Sequence, residues 1–186
     1  TRRFATPNPE QYYERIGMAD PTNNFRGNIL IIGASAAGVS AAKEIRKVNR
    51  AARVTIITDE PYYPYYRPLL TRRIAEESVE QNPAFHLNKE AWYAENDITL
   101  LRGERVNRID PEGRKAFTEK GRELPWDRLI LATGSRPFVP VPGALEKENV
   151  FAIRTLDDAR GVYRAQKTAE RIVVIGGGLL GLETAD

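Results

Sequence analysis

Glycine recurs with the same spacing in two segments of the chain, residues 33–38 and residues 176–181. The first segment reads Gly-Ala-Ser-Ala-Ala-Gly and the second reads Gly-Gly-Gly-Leu-Leu-Gly. Both follow a run of apolar residues typical of a buried strand, and both lead into residues that favour a helix. A strand, a tight glycine turn and a helix N-terminus bring backbone amides close to a pyrophosphate group. The two segments, which we call the first and second fingerprints, therefore predict two dinucleotide sites.

Each small residue of the first fingerprint has a separate task in this arrangement. Gly33 makes the tight turn, a small residue at position 35 lets the phosphates approach, and Gly38 lets the helix pack against the strand. Ser35 stands where glycine is usual, but it is small and its hydroxyl can donate to a phosphate oxygen. An acid about twenty residues after the last glycine binds the ribose hydroxyls of a dinucleotide. Asp59 has this place, and Glu60 replaces it if the second strand ends one residue later.

Composition narrows the chemistry that the chain can perform. Of its 186 residues 41% are hydrophobic, which is enough for a core. The net charge of +3 is spread along the chain, so nucleic acid is not an expected partner. Cysteine is absent and His86 is the one histidine, which excludes disulfides, reactive thiols and multi-histidine metal sites. Redox chemistry must therefore come from a bound organic cofactor, and we predict no metal site.

The elements around the fingerprints predict an α/β protein. An apolar strand, the first fingerprint, a helix and a second strand make one βαβ unit, whose strands run parallel. Between residues 98 and 131, turn sequences separate short alternating strands, which predicts an antiparallel meander beside the parallel sheet. The predicted strands outside the meander are 28–32, 53–58, 128–132 and 171–175, and the predicted helices are 36–49 and 156–168, with short ones near 70–78 and 88–95. The fold class is therefore Rossmann-like, a parallel sheet flanked by helices with an antiparallel β-meander.

Residues 59–72 carry a further pattern, Asp-Glu-Pro-Tyr-Tyr-Pro-Tyr-Tyr-Arg-Pro-Leu-Leu-Thr-Arg. It resembles the segment after the second strand in FAD-containing NAD(P)H reductases that serve rubredoxin, ferredoxin or a nitrite reductase. The resemblance continues through Ala-Thr-Gly-Ser-Arg-Pro at 132–137 and into the second fingerprint and Glu183. It covers residues 28–186 and points to the superfamily of FAD-dependent pyridine nucleotide oxidoreductases.

The absence of cysteine bears on the branch of this superfamily. Its disulfide reductases place redox cysteines in this part of the FAD domain, and this chain has none. The resemblance therefore implies a cysteine-free reductase in which FAD accepts a hydride from NADH or NADPH. Electrons would then pass directly to a small redox protein or to an iron–sulfur or sirohaem centre.

The resemblance also assigns site residues. It implies that FAD contacts Gly33, Ser35, Ala36, Gly38, Asp59 or Glu60, Arg67, Pro68, Arg72, Val106, Ala132, Thr133, Gly134 and Arg136. It implies that the nicotinamide cofactor contacts Gly176, Gly178 and Gly181. Arg72 stands where the family commonly has a lysine beside the isoalloxazine, paired with the glutamate that is Glu183 here. We therefore predict a contact between Arg72 and Glu183 and interpret both as catalytic residues. Tyrosines 62, 63, 65 and 66 either shield the flavin or serve as packing residues.

Three parts of the chain are expected from these assignments. Residues 1–27 form an extension or linker, 28–168 an FAD-binding domain without its later return segment, and 169–186 the first strand and turn of an NAD(P)-binding domain. We expect a segment of a longer polypeptide that is not active alone. Because no apolar run reaches the ~18 residues that span a bilayer, we expect no membrane span, and we expect a cytoplasmic location.

Other functions fit parts of the same pattern. One is a non-catalytic flavoprotein of this fold that serves as a binding or signalling module. Another is a relative of NADH oxidase or coenzyme A disulfide reductase that lacks the cysteine, and a third is a structural remnant without a cofactor. Reduction of the bound flavin by NAD(P)H and its reoxidation by an added acceptor would separate the enzyme from the module.

Overall fold

The computed structural model describes residues 25–72 and 81–186. The predicted extension therefore lies outside the described residues up to position 24. The same holds for the part of the predicted helix near 70–78 that follows Arg72.

The described chain contains seven strands and five α-helices. The strands are β1 (Asn28–Ile32), β2 (Arg53–Ile57), β3 (Ile98–Leu101), β4 (Val106–Asp110), β5 (Lys115–Thr118), β6 (Glu123–Pro125) and β7 (Arg128–Leu131). The helices are α1 (Ala36–Val48), α2 (Leu69–Arg72), α3 (Glu90–Glu95), α4 (Leu156–Gln166) and α5 (Leu179–Ala185). By its contacts the chain forms two compact units, whose described parts are 25–61 with 90–132 and 62–72 with 81–89 and 133–186.

The first unit contains a parallel sheet with the order β3-β2-β1-β7. β1 lies between β2 and β7, with Ile31 opposite Ile56 on one side and Ile130 on the other. Four of the five residues of β1 are buried, as expected for a parallel strand that is covered on both faces. The predicted βαβ unit is confirmed, because α1 connects β1 to the parallel strand β2.

An antiparallel sheet with the order β4-β5-β6 forms the second layer of this unit. Ala116 of β5 is fully buried and packs with Leu30, Ile32 and Ile57 of the parallel sheet. The predicted meander is thus confirmed for β4 to β6. The prediction is wrong for β3, which pairs with β2 in the parallel sheet. Its short run Ile-Thr-Leu-Leu satisfies either kind of strand, and only the available neighbour decides between them.

The second unit has its own small core around Tyr65. The Tyr65 ring stacks on Phe85 with a centroid distance of 4.9 Å, and both pack with Leu156 of α4. The Tyr65 hydroxyl accepts a hydrogen bond from the Leu156 amide at 2.9 Å, so it serves the first turn of α4. Tyr65 is therefore a packing residue, with a hydroxyl that bonds to protein. Thr155 and Asp158 complete the same helix end with a capping box.

The predicted strand 171–175 is wrong, because these residues belong to no strand. A strand requires a hydrogen-bonded neighbour, and residues 171–175 have none within the described part of the chain. Their apolar side chains are correspondingly exposed, Ile175 to 88%. The predicted domain limit at 168/169 stays a prediction.

Candidate functional site

The first fingerprint has the backbone geometry of a tight, glycine-dependent turn. Gly33 has φ 111°, a region that favours glycine, and its amide donates to the Ile57 carbonyl at 2.8 Å. A Cβ at Gly38 would overlap the carbonyl oxygen of Gly33 and lie 3.3 Å from Cγ2 of Ile31. Gly33 is therefore required by its backbone conformation, and Gly38 by the close packing of α1 on the turn and on β1.

The N-terminus of α1 is open. Ser35 is the N-cap residue and makes no side-chain cap hydrogen bond, and Ala36 and Ala37 are exposed. The first-turn amides of a helix have no acceptor within the helix, and no acidic side chain lies in this turn. The first turn of α1 therefore offers amide donors and the positive end of the helix dipole, which fits a pyrophosphate group.

The second fingerprint repeats this geometry. Gly176 has φ 121°, and a Cβ at Gly181 would overlap the Gly176 carbonyl oxygen just as one at Gly38 would overlap that of Gly33. Gly178 is the N-cap residue of α5, and a Cβ there would meet no atom within 4 Å. The turn therefore forms even though the predicted strand before it does not.

The segment after β2 holds the predicted ribose-binding acids at the end of the sheet. The Thr58 amide donates to the Leu101 carbonyl at 2.9 Å, and the Gly103 amide donates to the Glu60 carbonyl at 3.0 Å. Within this hydrogen-bonded segment Asp59 is exposed and Glu60 is half-buried. Asp59 is thus the more accessible carboxylate, and its role at the ribose stays a prediction.

A buried acid, Glu104, lies just before β4, the strand that begins at Val106. Glu104 is 5% exposed and accepts hydrogen bonds from the Thr118 hydroxyl at 2.7 Å and from Arg122 Nε at 3.0 and 3.1 Å. The Arg122 guanidinium, followed by the Thr118 hydroxyl, lowers the pKa of this carboxyl. Val106 is half-buried and pairs with Thr118 across the sheet. Sequence reasoning missed Glu104, because its partners follow it by 14 and 18 positions.

In the second unit Arg67 and Arg154 meet beside a glycine turn. Nη1 of Arg67 donates to the Arg154 carbonyl at 2.6 Å. Gly134 has φ 72°, and a Cβ there would lie 2.8 Å from Nη2 of Arg154. Arg67 is therefore hydrogen-bonded to the backbone of Arg154, whose guanidinium lies beside Gly134. Sequence reasoning missed Arg154. The capping residue Thr155 marks the start of α4 just after Arg154, but sequence spacing does not reveal that Arg154 lies beside Gly134.

The predicted contact between Arg72 and Glu183 is present. Nε and Nη2 of Arg72 each lie 3.1 Å from Oε1 of Glu183. The Thr71 hydroxyl, which sequence reasoning missed, donates to Oε2 of the same carboxylate at 2.9 Å. The Thr71 hydrogen bond, followed by that of Arg72, lowers the pKa of Glu183. These contacts join α2 to the helix that the second fingerprint opens.

The other predicted site residues differ in exposure. Pro68, Thr133 and Arg136 are exposed, while Ala132 is half-buried and its amide donates to the Ile32 carbonyl at 2.8 Å. The first unit contains Gly33, Ser35, Ala36, Gly38, Asp59, Glu60, Val106 and Ala132, and the second contains Arg67, Pro68, Arg72, Thr133, Gly134, Arg136, Gly176, Gly178, Gly181 and Glu183. Their cofactor contacts stay predictions.

The described residues contain neither a metal-binding cluster nor a membrane-spanning helix. No group of three or more His, Cys, Asp or Glu side chains there is arranged to hold a metal ion. No helix in 25–72 or 81–186 has the length and apolar character needed to cross a membrane.

Known proteins resemble the chain over most of its length. It is 40% identical over 159 residues to nitrite reductase [NAD(P)H] of Bacillus subtilis, covering 84% of this chain and 19% of that protein. It is 35% identical over 166 residues to putidaredoxin reductase CamA of Pseudomonas putida, covering 87% of this chain and 39% of that protein. The chain thus spans well under half of these relatives.

A solved structure agrees with this result. The crystal structure of NADH:rubredoxin oxidoreductase from Clostridium acetobutylicum matches with a TM-score of 0.73 and 34% identity. The match covers 86% of this chain and 40% of that one. The family model described as pyridine nucleotide-disulphide oxidoreductase matches residues 27–186. The chain therefore belongs to the pyridine nucleotide-disulphide oxidoreductase family, whose members are FAD- and NAD(P)H-dependent oxidoreductases.

Proposed function

We propose that this chain is the flavin-binding part of an NAD(P)H oxidoreductase that passes electrons to a redox protein or a nitrite-reductase-type acceptor. The observation that carries the proposal is the contact between Arg72 and Glu183. It joins the segment that resembles the flavin side of such reductases to the helix of the second fingerprint. Two fingerprints with the same backbone geometry support it further.

The chain's own residues would bind and orient the cofactor. The open amides of the first turn of α1 would bind the pyrophosphate, and Asp59 would accept hydrogen bonds from the ribose hydroxyls. Bound FAD supplies the redox chemistry, because it accepts a hydride and releases electrons singly. Arg72 would hold a permanent positive charge that favours the reduced, anionic cofactor, and Glu183 would orient its guanidinium.

The second fingerprint would bind the pyrophosphate of NADH or NADPH. Gly176 and Gly181 shape its turn, and Gly178 leaves open space at the start of α5. A cytoplasmic location, where reduced nicotinamides are available, is part of the same proposal.

The absence of cysteine favours direct electron delivery over thiol chemistry. A coenzyme A disulfide reductase relies on a cysteine thiol, and no residue of this chain can replace it. The relatives named nitrite reductase and putidaredoxin reductase suggest the kinds of acceptor to test.

The experiment uses the full-length protein that contains this chain. Its flavin is mixed anaerobically with NADH or NADPH, and bleaching is followed by stopped flow. The reduced protein is then mixed with rubredoxin, putidaredoxin or nitrite with its reductase module. We expect fast bleaching and fast reoxidation by one of these acceptors. A flavin that neither nicotinamide reduces would identify a binding module, and purification without any flavin would identify a remnant.

A further inference from the structure

We propose that Thr71 is a positioning residue, whose hydroxyl orients the Glu183 carboxylate opposite Arg72. This inference rests on the proposed function of Arg72 and Glu183. Thr71 is neutral and would not itself touch the reacting atoms, but it would orient the ion pair of Arg72 and Glu183.

The two oxygens of the carboxylate have different donors. Oε2 of Glu183 accepts from the Thr71 hydroxyl at 2.9 Å, whereas Oε1 faces Nε and Nη2 of Arg72 at 3.1 Å. With Oε2 held by the Thr71 hydroxyl, Oε1 faces the guanidinium. The Thr71 hydroxyl therefore selects the orientation that the ion pair requires.

Burial indicates which of the two partners restrains the Glu183 side chain. Thr71 is 7% exposed, while the Arg72 side chain is 65% exposed and the Glu183 side chain 18%. A long, exposed arginine loses side-chain entropy when it is fixed, and water screens its charge. A short, buried threonine with few rotamers is already ordered, so its hydrogen bond restrains Glu183 more tightly.

The same hydrogen bond acts on the protonation of Glu183. Donation from Thr71 favours the ionised carboxylate and is the largest cause of its lowered pKa. Arg72, on the facing helix α2, is the charged group that acts on it among the described residues. Asp186 is the C-cap residue that follows α5, and Arg73 lies outside the described residues. Without the hydroxyl the pKa of Glu183 should rise, so that protonation begins at a higher pH and uncouples Arg72.

The test uses the full-length holoprotein with two substitutions at one site. Thr71→Val keeps the shape of the side chain and removes the hydroxyl, and Thr71→Ser keeps the hydroxyl and removes the methyl group. Thr184→Val is the matched control, because it removes a neighbouring hydroxyl that donates to the Leu180 carbonyl in the same helix. The pKa of Glu183 is measured by infrared titration with labelled glutamate, with Glu183→Gln identifying the band. The rate of flavin reduction by NAD(P)H is measured across the pH range.

We expect a higher Glu183 pKa in T71V than in T71S or T184V. We also expect that the rate of flavin reduction in T71V, relative to T71S, falls about threefold or more on acidification. An unchanged Glu183 pKa in T71V would overturn it, as would a T71S variant that behaves like T71V. If E183Q reduces its flavin like the wild type while T71V still raises the pKa, the positioning by Thr71 stands and the proposed catalytic role of Glu183 fails.

Discussion

At the scale of single residues, the glycines of the second fingerprint are needed for different reasons. Gly181 is required by packing, because a Cβ there would overlap the Gly176 carbonyl oxygen. A Cβ at Gly177 or Gly178 would meet no atom within 4 Å. Gly178 has φ −77° and ψ 176°, which any residue adopts. We infer that a close approach of its backbone to a pyrophosphate accounts for this glycine.

This difference predicts a binding defect without a folding defect. In the full-length protein we expect Gly178→Ala to weaken NAD(P)H binding about tenfold, about 1.4 kcal/mol, with no change in Tm. Gly177→Ala adds the same methyl group one residue earlier and should keep the wild-type affinity. Calorimetric titration and thermal unfolding measure the two effects. Equal affinities in the two variants, or a lower Tm in G178A, would contradict the assignment.

At the scale of elements, a buried arginine joins α1 to the end of α3. Arg46 is 4% exposed and donates to four backbone carbonyls, those of Asn96 at 2.6 Å, Asp97 at 2.7 Å, Ala52 at 2.8 Å and Asn49 at 3.4 Å. Burial lowers the pKa of its guanidinium. Arg46 therefore satisfies carbonyls that lie outside any helix or sheet ladder, as buried polar groups require.

Removing the Arg46 side chain should lower the free energy of unfolding much more than removing that of its neighbour, Lys47. We expect Arg46→Met to lower the free energy of unfolding by about 3 kcal/mol, because four carbonyls lose this donor. Lys47→Met removes an exposed cation that pairs with Glu44 at 2.6 Å, and it should cost less than about 0.5 kcal/mol. Urea unfolding of both variants provides the comparison. Similar losses in the two would show that Arg46 acts only through general helix stability.

The same scale shows what could be predicted from sequence. Strands β1, β2 and β7 were predicted correctly because their apolar runs are bounded by turn residues or the first fingerprint. The antiparallel pairing predicted for β3 and the strand predicted for 171–175 were wrong, since composition describes what a strand requires but not which neighbour is present. Arg46, Glu104 and Thr71 were missed because their partners are 50, 14 and 112 positions away, and such pairs leave no local pattern.

At the scale of the whole molecule, each compact unit is assembled from distant parts of the chain. The core of the second unit requires Tyr65 and Phe85 from one stretch and Leu156 from another. The limits between the units fall inside two recognised motifs, after Pro61 and after Ala132. Each folded unit therefore combines motifs from separate stretches of the chain. Sequence reasoning did not anticipate this arrangement.

Exposed apolar residues before the second fingerprint predict how the 186-residue chain behaves by itself. Val173 is 78% exposed and Ile175 is 88% exposed, in a β-branched stretch without a strand partner in the described residues. Such a stretch favours pairing with a second copy, because both apolar surface and free backbone groups would be covered. We expect self-association whose apparent dissociation constant rises about tenfold or more in the V173T/I175T variant.

Sedimentation velocity over a range of concentrations measures this association. Thr keeps the β-branched shape, so the two substitutions remove apolar surface without reducing strand propensity. Val48→Thr is the control, because Val48 is 61% exposed at the end of α1 and stands apart from residues 171–175 in sequence. Association that V48T weakens as much as V173T/I175T would assign it to general surface hydrophobicity. A chain that stays monomeric at every concentration would show that exposure of this stretch does not drive pairing.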